Sequence, residues 1–376
     1  MSEKASLSLK CVEIFFYLWY TKLKERGIPM VKKIAVGMSG GVDSSVAAYI
    51  LKKEGHEVFG CNLKMYVPKN GHLSGDTKDA GVVCDTLGVS LGICDCTSGF
   101  DGTVIKNFTD TYLAGKTPNP CVFCNRNMKF PSMIKYAESI GCTHIATGHY
   151  ARIKEQDGRF LLLRGVDRKK DQSYMLYLLT QDILSKTLFP LGELTKDEIR
   201  DIARDIGLSV AEKKDSQDIC FIAKGDDYAE FIKERTECDI LPGDFVDTAG
   251  NVVGRHRGII SYTIGQRKGL GIASTEPYYV VGKDVTNNRV ILGRERDLYT
   301  KRVFVKNPNF IPFDTLNESI RVTAKLRYSQ NDSVCTVHPL EDGILLEFDE
   351  EQRAVTPGQS AVLYDGDVVI GGGINV

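Results

Sequence analysis

Residues 36–45, VGMSGGVDSS, put three glycines, an aspartate and three serines where one apolar run ends and a helical pattern begins. A Gly-rich turn from a strand into a helix offers backbone N–H groups and the positive end of the helix dipole to an anion. Gly40 and Gly41 let the backbone approach phosphate oxygens without a Cβ clash, and Ser39, Ser44 and Ser45 add hydroxyl donors. The segment reads as a phosphate cradle other than a Walker A loop, because G-x-x-x-x-G-K-[ST] is absent and no lysine reaches into the turn. The plain alternative is a structural turn with Asp43 as a helix-start charge. A second reactive set is made of thiols. Cys121 and Cys124 form a C-x-x-C beside Asn119, Pro120 and Asn125, and Cys220 lies in DSQDICFI; all three read as residents of polar loops outside any core. Thiolates serve as nucleophiles or as metal ligands. Cys61, Cys84, Cys94, Cys96, Cys142, Cys238 and Cys335 read as small buried apolar residues or incidental surface thiols.

The elements that must position these groups alternate. Strand-like runs at 31–36, 56–63, 91–96 and 143–148 are separated by helical spacing at 44–54, 77–87, 100–113 and 131–139, with residues 116–127 as a loop. This rhythm implies an α/β fold, a doubly wound parallel sheet that binds a nucleotide at the carboxyl ends of its strands. A further helix is expected over 195–206. From about Leu241 the texture becomes short alternating segments broken by glycine, and strand alternation dominates from about Arg302 to Val376, which predicts a C-terminal β-barrel. The expected domains are 31–225 (catalytic), 226–300 (central) and 301–376 (barrel). Residues 1–30 read as an extension without a place in this fold or as an amphipathic helix over an apolar patch, and removing 1–29 is expected to preserve activity.

The 376 residues carry a formal net charge of −1, so the balance of charge points to no nucleic acid or membrane partner. There is no apolar run of spanning length and no credible export signal, since CVEIFFYLWY contains Glu13 and lacks a cleavage site. A cytoplasmic location follows as an expectation, with the eleven cysteines free, metal-bound or catalytic.

SGGVDSS resembles the pyrophosphate loop of the ATP-pyrophosphatase superfamily, whose members adenylylate a carbonyl oxygen and release pyrophosphate. TPNPCVFCNRNMKF, ATGHYAR, KKDQSYMLY, FPLGELTKDEIR, DSQDICFI, GQRKGLGI, LRYS and TPGQSAVLYDGDVVIGGG follow in the order seen in the tRNA-specific 2-thiouridylases. The resemblance covers essentially everything from Val31 onward. It implies ATP-dependent 2-thiolation of the wobble uridine of tRNA. O2 of the uridine attacks the α-phosphate, Asp43 helps hold Mg²⁺ on the departing pyrophosphate, and sulfur then displaces AMP. In the family scheme Cys220 receives a persulfide from a sulfur-relay protein or cysteine desulfurase. Cys124 attacks it, releasing hydrosulfide or closing a disulfide with Cys220. The resemblance further assigns Gly37, Met38, Ser39, Gly40, Gly41, Val42, Asp43, Ser44, Leu63 and Gly148 to the nucleotide. Asn119, Pro120, Cys121, His149, Lys170, Asp171, Gln172, Arg327, Tyr328 and Gln359 are assigned to tRNA and its target base.

One departure stands out: many relatives carry aspartate where this chain has Cys121. Cys121, Cys124 and Cys220 then form a three-thiolate set that could hold a [4Fe–4S] cluster with one open iron, so cluster and persulfide relay stand as alternatives, with zinc behind them. Two rivals remain. Another ATP-pyrophosphatase could activate a carbonyl for a nitrogen nucleophile, which needs no pair of cysteines, and a nucleotide sensor would release no pyrophosphate.

Overall fold

The computed structural model describes residues 31–67, 77–213, 219–222, 225–236 and 239–376. The expectations for residues 1–30, for Cys238 and for 215–218 of DSQDICFI lie outside them.

The first domain opens with β1 (Lys33–Gly37), α1 (Val42–Lys53), β2 (Glu57–Lys64), α2 (Thr77–Leu87) and β3 (Leu91–Asp95). Two long helices follow. α3 covers 97–113 with a π turn at Asp101–Ile105, and α4 covers 120–139 with a π turn at Asn125–Lys129. Next come β4 (His144–Ala146), the hairpin β5 (Ala151–Gln156) and β6 (Arg159–Arg164), α5 (Gln181–Ser185), β7 (Thr187–Leu188) and α6 (Lys196–Asp205). The sheet is parallel in the order β3-β2-β1-β4-β7. Ile34, Ala35 and Val36 are fully buried between α1, α2 and α6 on one face and α4 on the other. The strand order reverses between β1 and β4, the place at whose carboxyl ends sheets of this kind bind ligand.

The helix expected at 131–139 begins eleven residues earlier. Asn119 accepts a hydrogen bond from the Val122 N–H and Pro120 takes the first turn, where its missing N–H costs nothing. Pro131 looks like a helix start in the sequence, yet it lies inside α4 directly after the π turn. In the wider turn the Phe130 N–H bonds the Asn125 carbonyl, five residues back, which lets the helix continue past the hydrogen bond that Pro131 cannot make.

The central domain holds α7 (Tyr228–Lys233), β8 (Gly243–Asp247), β9 (Val252–His256), β10 (Tyr279–Asp284) and β11 (Arg289–Gly293), in the order β10-β11-β8-β9. Its core of Phe245, Tyr262, Val280 and Leu292 is continuous with Phe100 and Phe108 of α3. The barrel comprises β12 (Tyr299–Phe310), β13 (Ile320–Lys325), β14 (Ser333–Leu340), β15 (Gly343–Arg353), β16 (Ser360–Asp365) and β17 (Val368–Asn375). β12 pairs with both β15 and β17, which closes six strands. The β5–β6 hairpin, which the alternation pattern did not announce, adds to β17. Arg164 anchors it there: it is 7% exposed, stacks 3.5 Å from the Tyr364 ring centre and pairs with Asp332. No helix among the described residues is long and apolar enough to cross a membrane.

Lys283 of β10 carries a cost. Its Nζ is buried without a hydrogen-bond partner, its side chain lies beside the Gly115 turn that ends α3, and burial lowers its pKa from 10.5 to about 8. The folded chain therefore binds this proton less tightly than the unfolded chain. The penalty is complete below pH 8 and fades as pH rises from about 8 to 10.5. Lys283→Met is expected to raise unfolding free energy at pH 7 by ~1–3 kcal/mol and to flatten the rise toward pH 10. Urea titrations at both pH values check this, and equal stability of variant and parent at pH 7 would refute it.

Candidate active site

The phosphate loop is held from within. Gly40 has φ +71°, open to glycine at little cost, and Gly41 precedes the first turn of α1. The Ser39 N–H reaches Ser44 Oγ at 3.2 Å, while the Ser44 and Ser45 hydroxyls donate to the Gly41 carbonyl at 3.1 and 2.8 Å. Asn62 of β2, 3% exposed, donates to the Met38 carbonyl at 2.8 Å. Gly148, just past β4, lies so close that a Cβ there would stand 2.7 Å from the Asp43 carbonyl carbon and 2.8 Å from the Ser44 nitrogen. Its glycine identity is thus required by the loop's own backbone. Leu63 sits near the end of β2, half-buried and opposite Cys94 of β3.

Two lysines do reach this turn, against the sequence expectation. Lys196, the first residue of α6 and 5% exposed, sets Nζ 2.8 and 3.0 Å from the two Asp43 carboxylate oxygens. Buried Tyr150 donates its hydroxyl to Asp43 Oδ1 at 2.7 Å. Lys213 donates to the Gly40 carbonyl at 3.2 Å and pairs with Asp79. The nearest signal in the sequence is FPLGELTKDEIR, whose Thr195 and Glu198 close a capping box that fixes where Lys196 starts its helix.

The thiols converge as well: Cys220 lies in a turn as expected, whereas Cys121 and Cys124 do not lie in a loop. Cys121 and Cys124 lie on the first turn of α4, and Cys124 is buried in the core shared with Cys96, Phe100 and Phe221. Cys220, 96 residues after Cys124 and 99 after Cys121 in the chain, lies close enough for both sulfurs to act on it. Cys121 and Cys220 keep a face toward solvent, yet the protein crowds both sulfurs. Burial raises the pKa of all three thiols. It brings Cys220 to about 12, with the two neighbouring sulfurs adding to the rise. Lys129 opposes this at each of them, and its backbone N–H also favours the Cys124 thiolate. The π turn that ends at Lys129 thereby aims a peptide donor back at the sulfur five residues earlier. Lys129 went unremarked in the sequence because its relation to Cys124 depends on that turn. Among the described residues no group of three or more His, Cys, Asp or Glu side chains is set to hold a metal ion.

Three family models match consecutive parts of the chain: "tRNA methyl transferase HUP domain" over residues 32–224, "tRNA methyl transferase PRC-barrel domain" over 229–294 and "Aminomethyltransferase beta-barrel domain" over 300–374. The tRNA-specific 2-thiouridylase MnmA of Clostridioides difficile is 48% identical over 355 residues, spanning 92% of this chain and 98% of that one. The tRNA-specific 2-thiouridylase MnmA 1 of Caldanaerobacter subterraneus subsp. tengcongensis is 49% identical over 355 residues, spanning 91% and 97%. The chain belongs to the tRNA-specific 2-thiouridylase family. A solved 4-thiouridine synthetase in complex with RNA and ATP superposes only loosely, with 18% identity, 54% and 50% coverage of the two chains and a TM-score of 0.36.

The residues that a 2-thiouridylase would turn toward tRNA are largely engaged within the chain. Asp171, 7% exposed, accepts from the Gly165 and Ser173 N–H groups and the Ser173 hydroxyl. Gln172 accepts from the Tyr150 N–H at 3.0 Å. Gln359 donates to the carbonyls of Thr117 and Pro118, tying the barrel to the segment that leads into Cys121. Arg327 turns inward to Ala354 O and Thr356 Oγ1, and Tyr328, 40% exposed, donates to Asp171 O. His149 stacks on Phe130 and lies edge-on to Phe189; burial, then Lys129, lowers its pKa to about 3, so it is neutral at physiological pH. Lys170 is half-buried. Of these side chains, Gln359 and Tyr328 cross the seam between the first domain and the barrel, and Asp171, Gln172, His149 and Arg327 are tied within their own domains.

Proposed function

We propose that this 2-thiouridylase acts in the cytoplasm on the wobble uridine of tRNA, in two stages that use its two sites in turn. The reaction is ATP-dependent thiolation of a tRNA uridine, and the chain is a tRNA-uridine sulfurtransferase. The phosphate loop binds the ATP phosphates, Lys196 and Lys213 add positive charge, and uridine O2 attacks the α-phosphate to release pyrophosphate. Mg²⁺ suits this loop, since it takes most of its ligands from phosphates and water and needs few carboxylates; Asp43 would hold it, and the ion would neutralise charge on the leaving group. For sulfur delivery, solvent-facing Cys220 accepts a persulfide from a donor protein. The Cys124 thiolate attacks the Cys220 sulfur, so hydrosulfide leaves as the Cys124–Cys220 disulfide forms. Hydrosulfide then adds at C2 and AMP departs. An external thiol reductant resets the pair. The observation that carries this reading is the convergence of buried Cys124 with accessible Cys220 and Lys129. The same convergence favours thiolation over methyl transfer, which the family models' descriptions name, and over attack by nitrogen. No step is routed through iron, because the three thiols are not grouped as metal ligands.

The test combines the chain with unmodified tRNA, ATP and a persulfide donor. Pyrophosphate release that requires tRNA, followed by tRNA retarded on a mercury gel, is expected. Pyrophosphate without sulfur incorporation, or incorporation of ammonia, would overturn the proposal.

A further inference from the structure

A second group of thiols lies where β3 hands over to α3. Cys94 and Cys96 have sulfur atoms 3.6 Å apart. The turn between them is held by Asp95, which accepts from the Thr97 N–H at 3.0 Å and hydroxyl at 2.7 Å and pairs with Lys64. Cys61, fully buried in β2, faces both sulfurs, and Ser132 of α4 hydrogen-bonds Cys96. Cys96 is buried and Cys94 is half-buried, so a small oxidant meets Cys94 first. Neither thiol has a part in the sulfur-transfer scheme.

We propose that Cys94 and Cys96 form a redox site that closes to a disulfide under hydrogen peroxide and weakens nucleotide binding. The Cys94 thiolate attacks peroxide, giving Cys94 sulfenic acid and hydroxide. Cys96 then attacks that sulfur, the S–S bond forms and water leaves. In sum, two thiols and one peroxide give one disulfide and two waters. The sulfurs need only close by roughly 1.5 Å, the excess of their present separation over a disulfide bond. Cys94 pairs with Leu63 across β2 and β3, so drawing it toward Cys96 displaces the strand end that flanks the nucleotide crevice. This consequence rests on the nucleotide reading of that crevice; formation of the disulfide does not.

The test uses the full chain carrying Cys121→Ser, Cys124→Ser and Cys220→Ser, so that the catalytic thiols cannot compete. After peroxide treatment, the peptide spanning 94–96 is expected to lose about 2 Da and to resist alkylation until reduced. Affinity for a non-hydrolysable ATP analogue is expected to fall about tenfold and to recover with dithiothreitol. Adding Cys94→Ser should abolish both effects. Full alkylation of Cys94 and Cys96 after peroxide would overturn the site. A disulfide that leaves ATP-analogue affinity unchanged would overturn its control of the nucleotide. Untreated protein that fails to bind the analogue would instead count against the nucleotide reading.

Discussion

Lys196→Met is expected to lower tRNA-dependent pyrophosphate release by ~10²- to 10³-fold, the loss that follows when a preorganised charge is removed from a water-poor site. The ammonium lies at hydrogen-bond distance from both Asp43 oxygens, at the mouth of the turn where the phosphates would rest. Asp43→Ala should abolish pyrophosphate release and also weaken the fold. It strips the two Asp43 contacts from a lysine that is 5% exposed and removes an acceptor from the Tyr150 hydroxyl. Because the Asp43 side chain is itself 31% exposed, the expected destabilisation is limited to about 1–3 kcal/mol. The double variant Asp43→Asn/Lys196→Met separates the two roles: stability should recover toward the parent while pyrophosphate release stays lost. Denaturant titration and a pyrophosphate assay at saturating Mg²⁺ read these outcomes. Near-parental turnover of Lys196→Met would remove it from the phosphate site.

Cys124→Ser and Cys220→Ser should each cut thiolation by about 10³-fold or more, since the two sulfurs act as a unit, and leave pyrophosphate release nearly intact. Under the relay, Cys121→Ser keeps much of its activity, because only two thiols exchange sulfur. An iron–sulfur centre gives a different pattern: protein prepared without oxygen would be brown, and all three substitutions would remove iron and activity together. Colourless, iron-free protein that thiolates tRNA from a persulfide donor would decide for the relay. A pH profile adds a second reading. Burial raises the Cys124 and Cys220 thiols, so thiolate is scarce at neutral pH and the sulfur-transfer rate should climb as pH rises. Lys129→Met takes away the charge that opposes burial and should move that climb to higher pH. An unshifted profile would show that Lys129 does not act on the thiols.

Much of this molecule is legible in its residue order because the signals are local. The alternation of apolar runs with helical spacing from Val31 marks the parallel sheet, and SGGVDSS marks the phosphate turn, since both depend on backbone geometry within a few residues. The barrel is announced by period-two alternation after Arg302, although not its closure through β12 and β17 or the hairpin of 151–164 that joins it, which depend on which edges meet. α4 misleads because Pro131 looks like a beginning, and only a π turn, stabilised by packing on both sides, lets the helix run through it. The charges at the site are the clearest loss. Lys196 is 153 positions from Asp43, and Lys213 is 173 from Gly40; no spacing rule links them. Likewise a motif can nominate Gln359, Asp171 and Arg327, but only packing decides that Gln359 crosses to the Thr117 segment while Asp171 and Arg327 turn inward within their own domains. Residue order determined the sheet, the phosphate turn and the reactive thiols, because each is written in adjacent residues. Tertiary structure decided which distant lysines meet them and which polar groups stay inside, because those are contacts between segments that only the packed chain brings together.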